Sequence, residues 1–424
     1  IDEGTDHNQD RIPFRKQQKA VGHAVRANYL YAGVADIYAE TGDESLLSSL
    51  KRIWEDVVST KMYITGACGA LYDGVSPDGT SYNPQEIQQV HQAYGRPYQL
   101  PSITAHNESC ATIGSILWNW RMFKLQPQAK FMDIIERTLY NGLLAATDLD
   151  GQKYLYTNPL RVARDLPFDL RWSDQRKKFI ECYCCPPNIV RTIAEVNNMV
   201  YSISENGIWI NLYGGNVLET ELTDGSKIKL KQETDYPWSG EIKILVITAP
   251  PEEISLNLRI PDWAQDVSIA VNGKKVDKPE SGKYFRINKK WSQGDLIELN
   301  IPLTIDLVST NPLVEETFNQ VAIKRGPLVY CLEDEDLPED VRVTEIVIPR
   351  DIDLKPVNKI INGHRIEVLK GEARLIEKKP GMNKNLFQKI TANDLKTINI
   401  NLLPYYCWGN RGKSEIMVWM RLGW

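Results

Sequence analysis

The hydrophobic period of this chain changes once, near residue 204, and that change constrains its architecture more than any other feature. Before it, apolar residues recur every three or four positions. Ala20, Val21, Ala24, Val25, Tyr29, Leu30, Val34, Ile37 and Tyr38 follow this rule until Thr41-Gly42-Asp43 stops it. The spacing predicts helices over 15–40, 44–59, 109–125, 128–147 and 186–202. Pro186 and Pro187 open the last of them, where a missing N–H costs nothing. Residues 66–104 are rich in Gly, Pro, Asn and Gln and hold no period; so long a loop inside a compact domain is usually functional.

After residue 204 the pattern alternates with period two, over 207–212, 227–231, 241–248, 255–260, 268–271, 284–287 and 296–301. Gly-containing turns separate these runs, and Asn272-Gly273 is a two-residue hairpin signal. A second β-rich stretch begins near Val321 and includes a charged portion, expected to be mobile, around Glu333–Asp340. The expectation is a multidomain α plus β protein. A helical domain spans 1–204, with its helix pairs and long loops suggesting an α/α toroid. A first antiparallel β-sandwich spans 205–310, completed by a strand near 412–424, and a second spans 311–411.

At 424 residues the chain is too long for one core. Its net charge of −5 leaves no electrostatic footprint for nucleic acid. No run approaches the roughly 18–20 apolar residues of a membrane span. It opens at Ile1, so it is expected to be processed or to begin part-way through a longer protein.

Seven cysteines, unevenly placed in a large chain, make a poor disulfide scaffold. Four of them fall in two tight groups, Glu108-x-Cys110 and Cys182-x-Cys184-Cys185. Thiolates with one carboxylate suit zinc, and Glu108, Cys110, Cys184 and Cys185 supply a tetrahedral set. Cys182 is an alternative to Cys184. Cys68, Cys331 and Cys407 are expected to pack as small apolar residues.

Two stretches, Asn107-Glu108-Ser109-Cys110-Ala111-Thr112-Ile113-Gly114 and Cys182-Tyr183-Cys184-Cys185-Pro186-Pro187-Asn188-Ile189, resemble signatures of glycoside hydrolase family 127. Gln17 to Arg26, Ile64-Thr65-Gly66, Leu100-Pro101, Arg137 to Gly142 and Ile260-Pro261-Asp262-Trp263 extend the resemblance over nearly the whole chain. It implies an (α/α)6 barrel, here only its C-terminal half, followed by two β-sandwiches. It also implies a retaining β-L-arabinofuranosidase acting on carbohydrate, with zinc held by Glu108, Cys110, Cys184 and Cys185. Cys184 would be the nucleophile and His23 a contact to sugar hydroxyls.

One position departs from the family pattern. The family's acid/base glutamate stands sixteen residues before the zinc glutamate, and Gln92 occupies that place. An amide cannot protonate a leaving oxygen. Three readings stay open. Glu86, His91 or His106 serves as the acid instead; or the substrate is an acidic pectic furanoside of the aceric acid type; or the protein is a catalytically impaired carbohydrate-binding protein with a structural zinc. Arg26 is a candidate partner for a substrate carboxylate. His106 either backs Glu108 or lines the cleft, and Tyr94 either stacks on a sugar or packs its loop. A homodimer, and a cytoplasmic or periplasmic home, are both compatible with the sequence.

Overall fold

A computed structural model describes residues 4–74, 90–205, 207–376, 386–387 and 395–423. Its helical part contains α1 (Ala24–Thr41), α2 (Glu44–Thr60), α3 (Ser109–Leu125), α4 (Ala129–Arg137) and α5 (Cys185–Glu195). The helix expected over 15–40 starts late because Gly22 is left-handed, with φ +71°. A Cβ there would lie 1.9 Å from the Asp6 carbonyl oxygen. The helix expected over 128–147 changes character at Thr138, passing through a π turn to Leu143 and a short 3-10 turn to Ala146. Thr138 Oγ1 donates back to the Ile134 carbonyl (2.6 Å) at that junction.

The loop expected over 66–104 is not structureless. Leu71–Gly74 and Val90–Ala93 pair antiparallel, and an isolated bridge joins His23 to Ala93. The hairpin is thereby tied to the start of α1.

The period switch falls where a last helical turn, Asn197–Val200, following α5 gives way to the strand Tyr201–Ser204. Strands from 201 to 300 form a six-stranded and a four-stranded sheet that share one core, including Ile208, Leu230, Ile244, Leu256 and Ile297. In Glu241–Thr248, Ile242, Ile244 and Val246 are buried while Glu241, Lys243 and Thr248 are exposed, as a half-buried strand requires.

The C-terminal sheet closes on itself. Gln320–Arg325 pairs with Leu328–Glu333, and pairing then runs through Leu395–Pro404, His364–Ile376, Ile346–Pro349 and Met420–Gly423 back to Gln320–Arg325. The strand near 412–424 therefore belongs here and does not complete the first sandwich. Met420 is buried with Val321 and Ile348 inside the closed sheet; it pairs with Val321, and the next residue, Arg421, pairs with Val347. The pairing with Ile346–Pro349 is parallel, so this domain is not purely antiparallel. Leu328, Tyr330 and Leu332 face inward, whereas Val329 and Cys331 join a core shared with the helical part. Glu333 is fully buried, accepting from Gly409 N (2.7 Å), Ser414 Oγ (2.6 Å) and Arg411, so the charged stretch there is pinned by ion pairs.

A buried ion cluster joins the helical part to the first β part. Arg259 is fully buried, with Nη1 2.5 Å from Asp133 Oδ1 and Nη2 on Glu136, both in α4. Two carboxylates facing one guanidinium leave an excess negative charge, and burial pushes Asp133 up to about 7. The folded protein thus holds a proton that the unfolded chain releases near pH 4, so stability is expected to fall as pH rises from about 4 through 7. Between pH 5 and 8 the loss is on the order of 3 kcal/mol. Urea unfolding at pH 5 and 8 measures it; Asp133→Asn should remove most of that slope, and an unchanged slope refutes the assignment.

Candidate metal centre

Two helix N-termini converge on one point. Glu108 caps α3, anchored by a bridge to Thr157 and by Ser109 N donating to the Tyr156 carbonyl (2.9 Å). Cys110 sits in the first turn. Cys184 caps α5, and Cys185 opens it ahead of the two prolines. Asn188, one turn on, donates to Cys110 Sγ (3.3 Å) and to Tyr29 Oη (2.9 Å). The positive ends of both helices favour thiolate at this position.

The donor atoms of Glu108, Cys110, Cys184 and Cys185 all lie within 4.8 Å of one another. The Sγ atoms of Cys110 and Cys185 are 3.3 Å apart and those of Cys184 and Cys185 3.8 Å. Glu108 Oε1 is 3.8 Å from Cys184 Sγ and 3.7 Å from Cys185 Sγ. A tetrahedral ion with bonds of about 2.3 Å to sulfur needs sulfur–sulfur edges of about 3.8 Å. Glu108 Oε2 is buried with no hydrogen-bond partner, as an atom awaiting a cation would be. The four donors fit a metal ion. Hydrogen bonds from Cys184 and Cys185 pull the Cys110 thiol below its ordinary value, and Cys185, sharing that proton with Cys110, is pushed up. Cys184 is exposed while Glu108, Cys110 and Cys185 are buried. Cys182 Sγ lies 3.3 Å from Cys184 Sγ, beside the four-donor group and outside it.

The other candidates divide. His106 is 1% exposed, its Nε2 3.8 Å from Glu108 Oε2, edge-on to Tyr72 and Tyr156. It is buried beside Glu108. Tyr94 is fully buried and donates to Asn28 Oδ1 (2.7 Å), next to Cys68, so it packs the core and cannot stack on a sugar. Gln92, with φ +53°, donates from Nε2 to Tyr156 Oη (3.1 Å). Burial and then the Glu108 charge raise the Tyr156 hydroxyl, which stays protonated. His23 and His91 are half-buried and Arg26 is exposed. Glu86 lies outside the described residues.

Sequence reasoning missed two features. His7, to which no role was assigned, stands 5.5 Å from His23 and 6.2 Å from His91, ring centre to ring centre. Trp172 stacks on Tyr156 at 3.7 Å. Neither lies in a motif, and only the folded arrangement brings them in.

Comparison with known proteins agrees with this geometry. Residues 2–198 match the GH127 catalytic domain of beta-L-arabinofuranosidase, 207–303 the GH127 middle domain, and 305–421 the C-terminal domain of glycoside hydrolase family 127. A non-reducing end beta-L-arabinofuranosidase of Bifidobacterium longum subsp. longum is 30% identical over 422 residues; the match covers 96% of this chain and 60% of the relative. A solved structure described as a glycoside hydrolase is 50% identical with a TM-score of 0.97, covering 100% of this chain and 70% of its own. A GH127 beta-L-arabinofuranosidase from Geobacillus stearothermophilus T6 is 34% identical with a TM-score of 0.89, covering 100% and 64%. The multidomain α plus β fold is thus that of these proteins, and the chain belongs to glycoside hydrolase family 127.

Proposed function

We propose that the protein is a retaining glycosidase whose nucleophile is Cys184, acting on a β-L-arabinofuranoside or a related furanoside. In this reading the helical part is the C-terminal half of an (α/α)6 barrel and residues 207–303 are a β-sandwich. Zinc is the metal that three thiols and one carboxylate suit best. When bound, it supplies a positive charge that keeps those thiols deprotonated.

One observation carries the assignment of the nucleophile: Cys184 alone of the four donors is exposed. Its thiolate attacks the anomeric carbon as the bond to the leaving oxygen breaks, that oxygen taking a proton from solvent; water then hydrolyses the thioglycoside, returning the thiolate and releasing a proton to solvent. Glu108 and Cys185, each within 3.8 Å, hold that sulfur in place. In this reading His23, half-buried at the start of α1, contacts a sugar hydroxyl. Gln92 takes no part in proton transfer and acts as a hydrogen-bond donor.

An N-bromoacetyl β-L-arabinofuranosylamine tests this directly. Peptide mass spectrometry is expected to find one sugar on the Cys184 peptide, with bromide displaced, and protection by free arabinose. Labelling at Cys182 or Cys68, or at all thiols alike, refutes the assignment.

A further inference from the structure

Trp172 and Tyr156 come from separate segments and meet face to face beside the metal centre, their planes 17° from parallel. Tyr156 is held through its backbone as well. Its carbonyl accepts from Ser109 N (2.9 Å) and Ser109 Oγ (3.3 Å), the residue that follows Glu108. Trp172 is carried by a segment tied to the same stretch: Tyr154 and Lys177 exchange backbone hydrogen bonds (2.9 and 3.1 Å), and Arg176 Nη2 donates to the Ala145 carbonyl (2.8 Å). That segment then runs on to Cys184. The indole Nε1 is buried without a partner, so the ring is fixed by its stack and not by a polar anchor. Such a scaffold holds the Tyr156 hydroxyl to within a fraction of an ångström.

Tyr156 Oη accepts from Gln92 Nε2 (3.1 Å). A hydroxyl has one proton and two lone pairs, so this contact leaves the proton free to donate. Among the described residues no acceptor takes it, and Glu108 Oε2 itself has no hydrogen-bond partner. Burial, then the charges of Glu108, Cys185 and Cys184, keep that proton on the oxygen. Three of the four donors of the metal centre therefore surround this hydroxyl. Gln92 reaches it from a costly position, because φ +53° is left-handed backbone that few residues other than glycine and asparagine adopt. Strain of this kind persists where the surrounding structure over-determines it, and it gathers at active sites. Breaking a glycosidic bond puts negative charge on the leaving oxygen, and a protonated hydroxyl with no acceptor of its own is suited to meet it. His106 is 1% exposed, and an amide at residue 92 has no acidic proton.

We propose that Tyr156 is a further catalytic residue, whose hydroxyl donates a hydrogen bond to the leaving oxygen as the glycosidic bond breaks, and that Trp172 is the residue that positions it. The inference deepens the glycosidase reading and rests on it. The bond from Cys184 sulfur to the anomeric carbon forms as the carbon–oxygen bond breaks, and that bond's electron pair goes to the leaving oxygen. Tyr156 keeps its proton and disperses the new charge, while the proton that completes the released alcohol comes from solvent. A hydrogen bond that strengthens only as charge develops raises kcat and leaves KM alone.

Tyr156→Phe is expected to lower kcat on methyl β-L-arabinofuranoside about a hundredfold, the usual worth of one such donor, with KM changed less than about twofold. The 4-nitrophenyl glycoside, whose leaving group carries its charge unaided, should lose less than about threefold. Labelling of Cys184 by N-bromoacetyl β-L-arabinofuranosylamine, followed by peptide mass spectrometry, should keep its rate within about threefold, because bromide needs no donor. Trp172→Ala should reproduce the leaving-group pattern with a loss of about tenfold on the methyl glycoside, and Trp172→Phe should restore most of it, since a ring suffices for the stack. Equal losses on the two glycosides, or slowed labelling of Cys184, assign Tyr156 to the sugar or to the metal centre and overturn the proposal. Turnover of neither glycoside by the unmodified protein sinks the glycosidase reading and this inference with it. Ordinary turnover with no loss in Tyr156→Phe sinks the role of Tyr156 alone.

Discussion

Cys184→Ser is expected to lower kcat/KM by about four to six orders of magnitude, while the thermal midpoint moves by no more than about 3 °C. The reason lies in how differently the site's sulfurs are placed. Cys184 is exposed at the start of α5, so exchanging its sulfur for oxygen removes no packing. The chemistry, by contrast, is lost almost entirely, because a hydroxyl is not ionised near neutral pH and is a far weaker nucleophile than a thiolate. Cys185→Ser is the informative comparison. Cys185 is fully buried, 3.3 Å from Cys110 Sγ and 3.7 Å from Glu108 Oε1. Its replacement should lower activity and stability together, and reduce bound zinc as measured by atomic absorption. Should Cys184→Ser melt as early as Cys185→Ser, the metal serves as a staple and Cys184 is one ligand among equals.

Local signals made much of this protein legible in sequence, and what they missed has a common cause. The strands at 241–248 and 268–271 match their alternation to the residue, because one face of each is buried in a single core. The donors are legible because the two tight groups Glu108-x-Cys110 and Cys182-x-Cys184-Cys185 have few other uses. The closed C-terminal sheet was not visible: Leu328–Glu333 is buried on both faces, so its pattern lacks alternation, and Met420–Gly423 finds partners about a hundred residues away. The hairpin at Leu71–Gly74 and Val90–Ala93 was hidden for the same reason, its two strands being short and separated by a long insertion. For His106 and Tyr94 the sequence leaves a ligand contact and a packing role both open, and only their burial separates the two. His7 shows the converse. No spacing rule marks it, and Gly22 permits the close approach that sets it against His23.

Gln92→Glu is expected to raise kcat on neutral methyl β-L-arabinofuranoside by about two to four orders of magnitude, the usual worth of a general acid. The position has the surroundings an acid needs. It is half-buried, next to the protonated Tyr156 hydroxyl at 3.1 Å and close to a centre of three thiols and Glu108. Burial and negative neighbours would hold a glutamate there above its ordinary pKa, so that it stays protonated near neutrality. The gain should depend on the leaving group. A 4-nitrophenolate departs without a proton, so the nitrophenyl glycoside should improve by less than about tenfold, whereas the methyl glycoside needs the proton and should show the whole effect. An equal change on nitrophenyl and methyl glycosides would mean that residue 92 does not face the leaving oxygen.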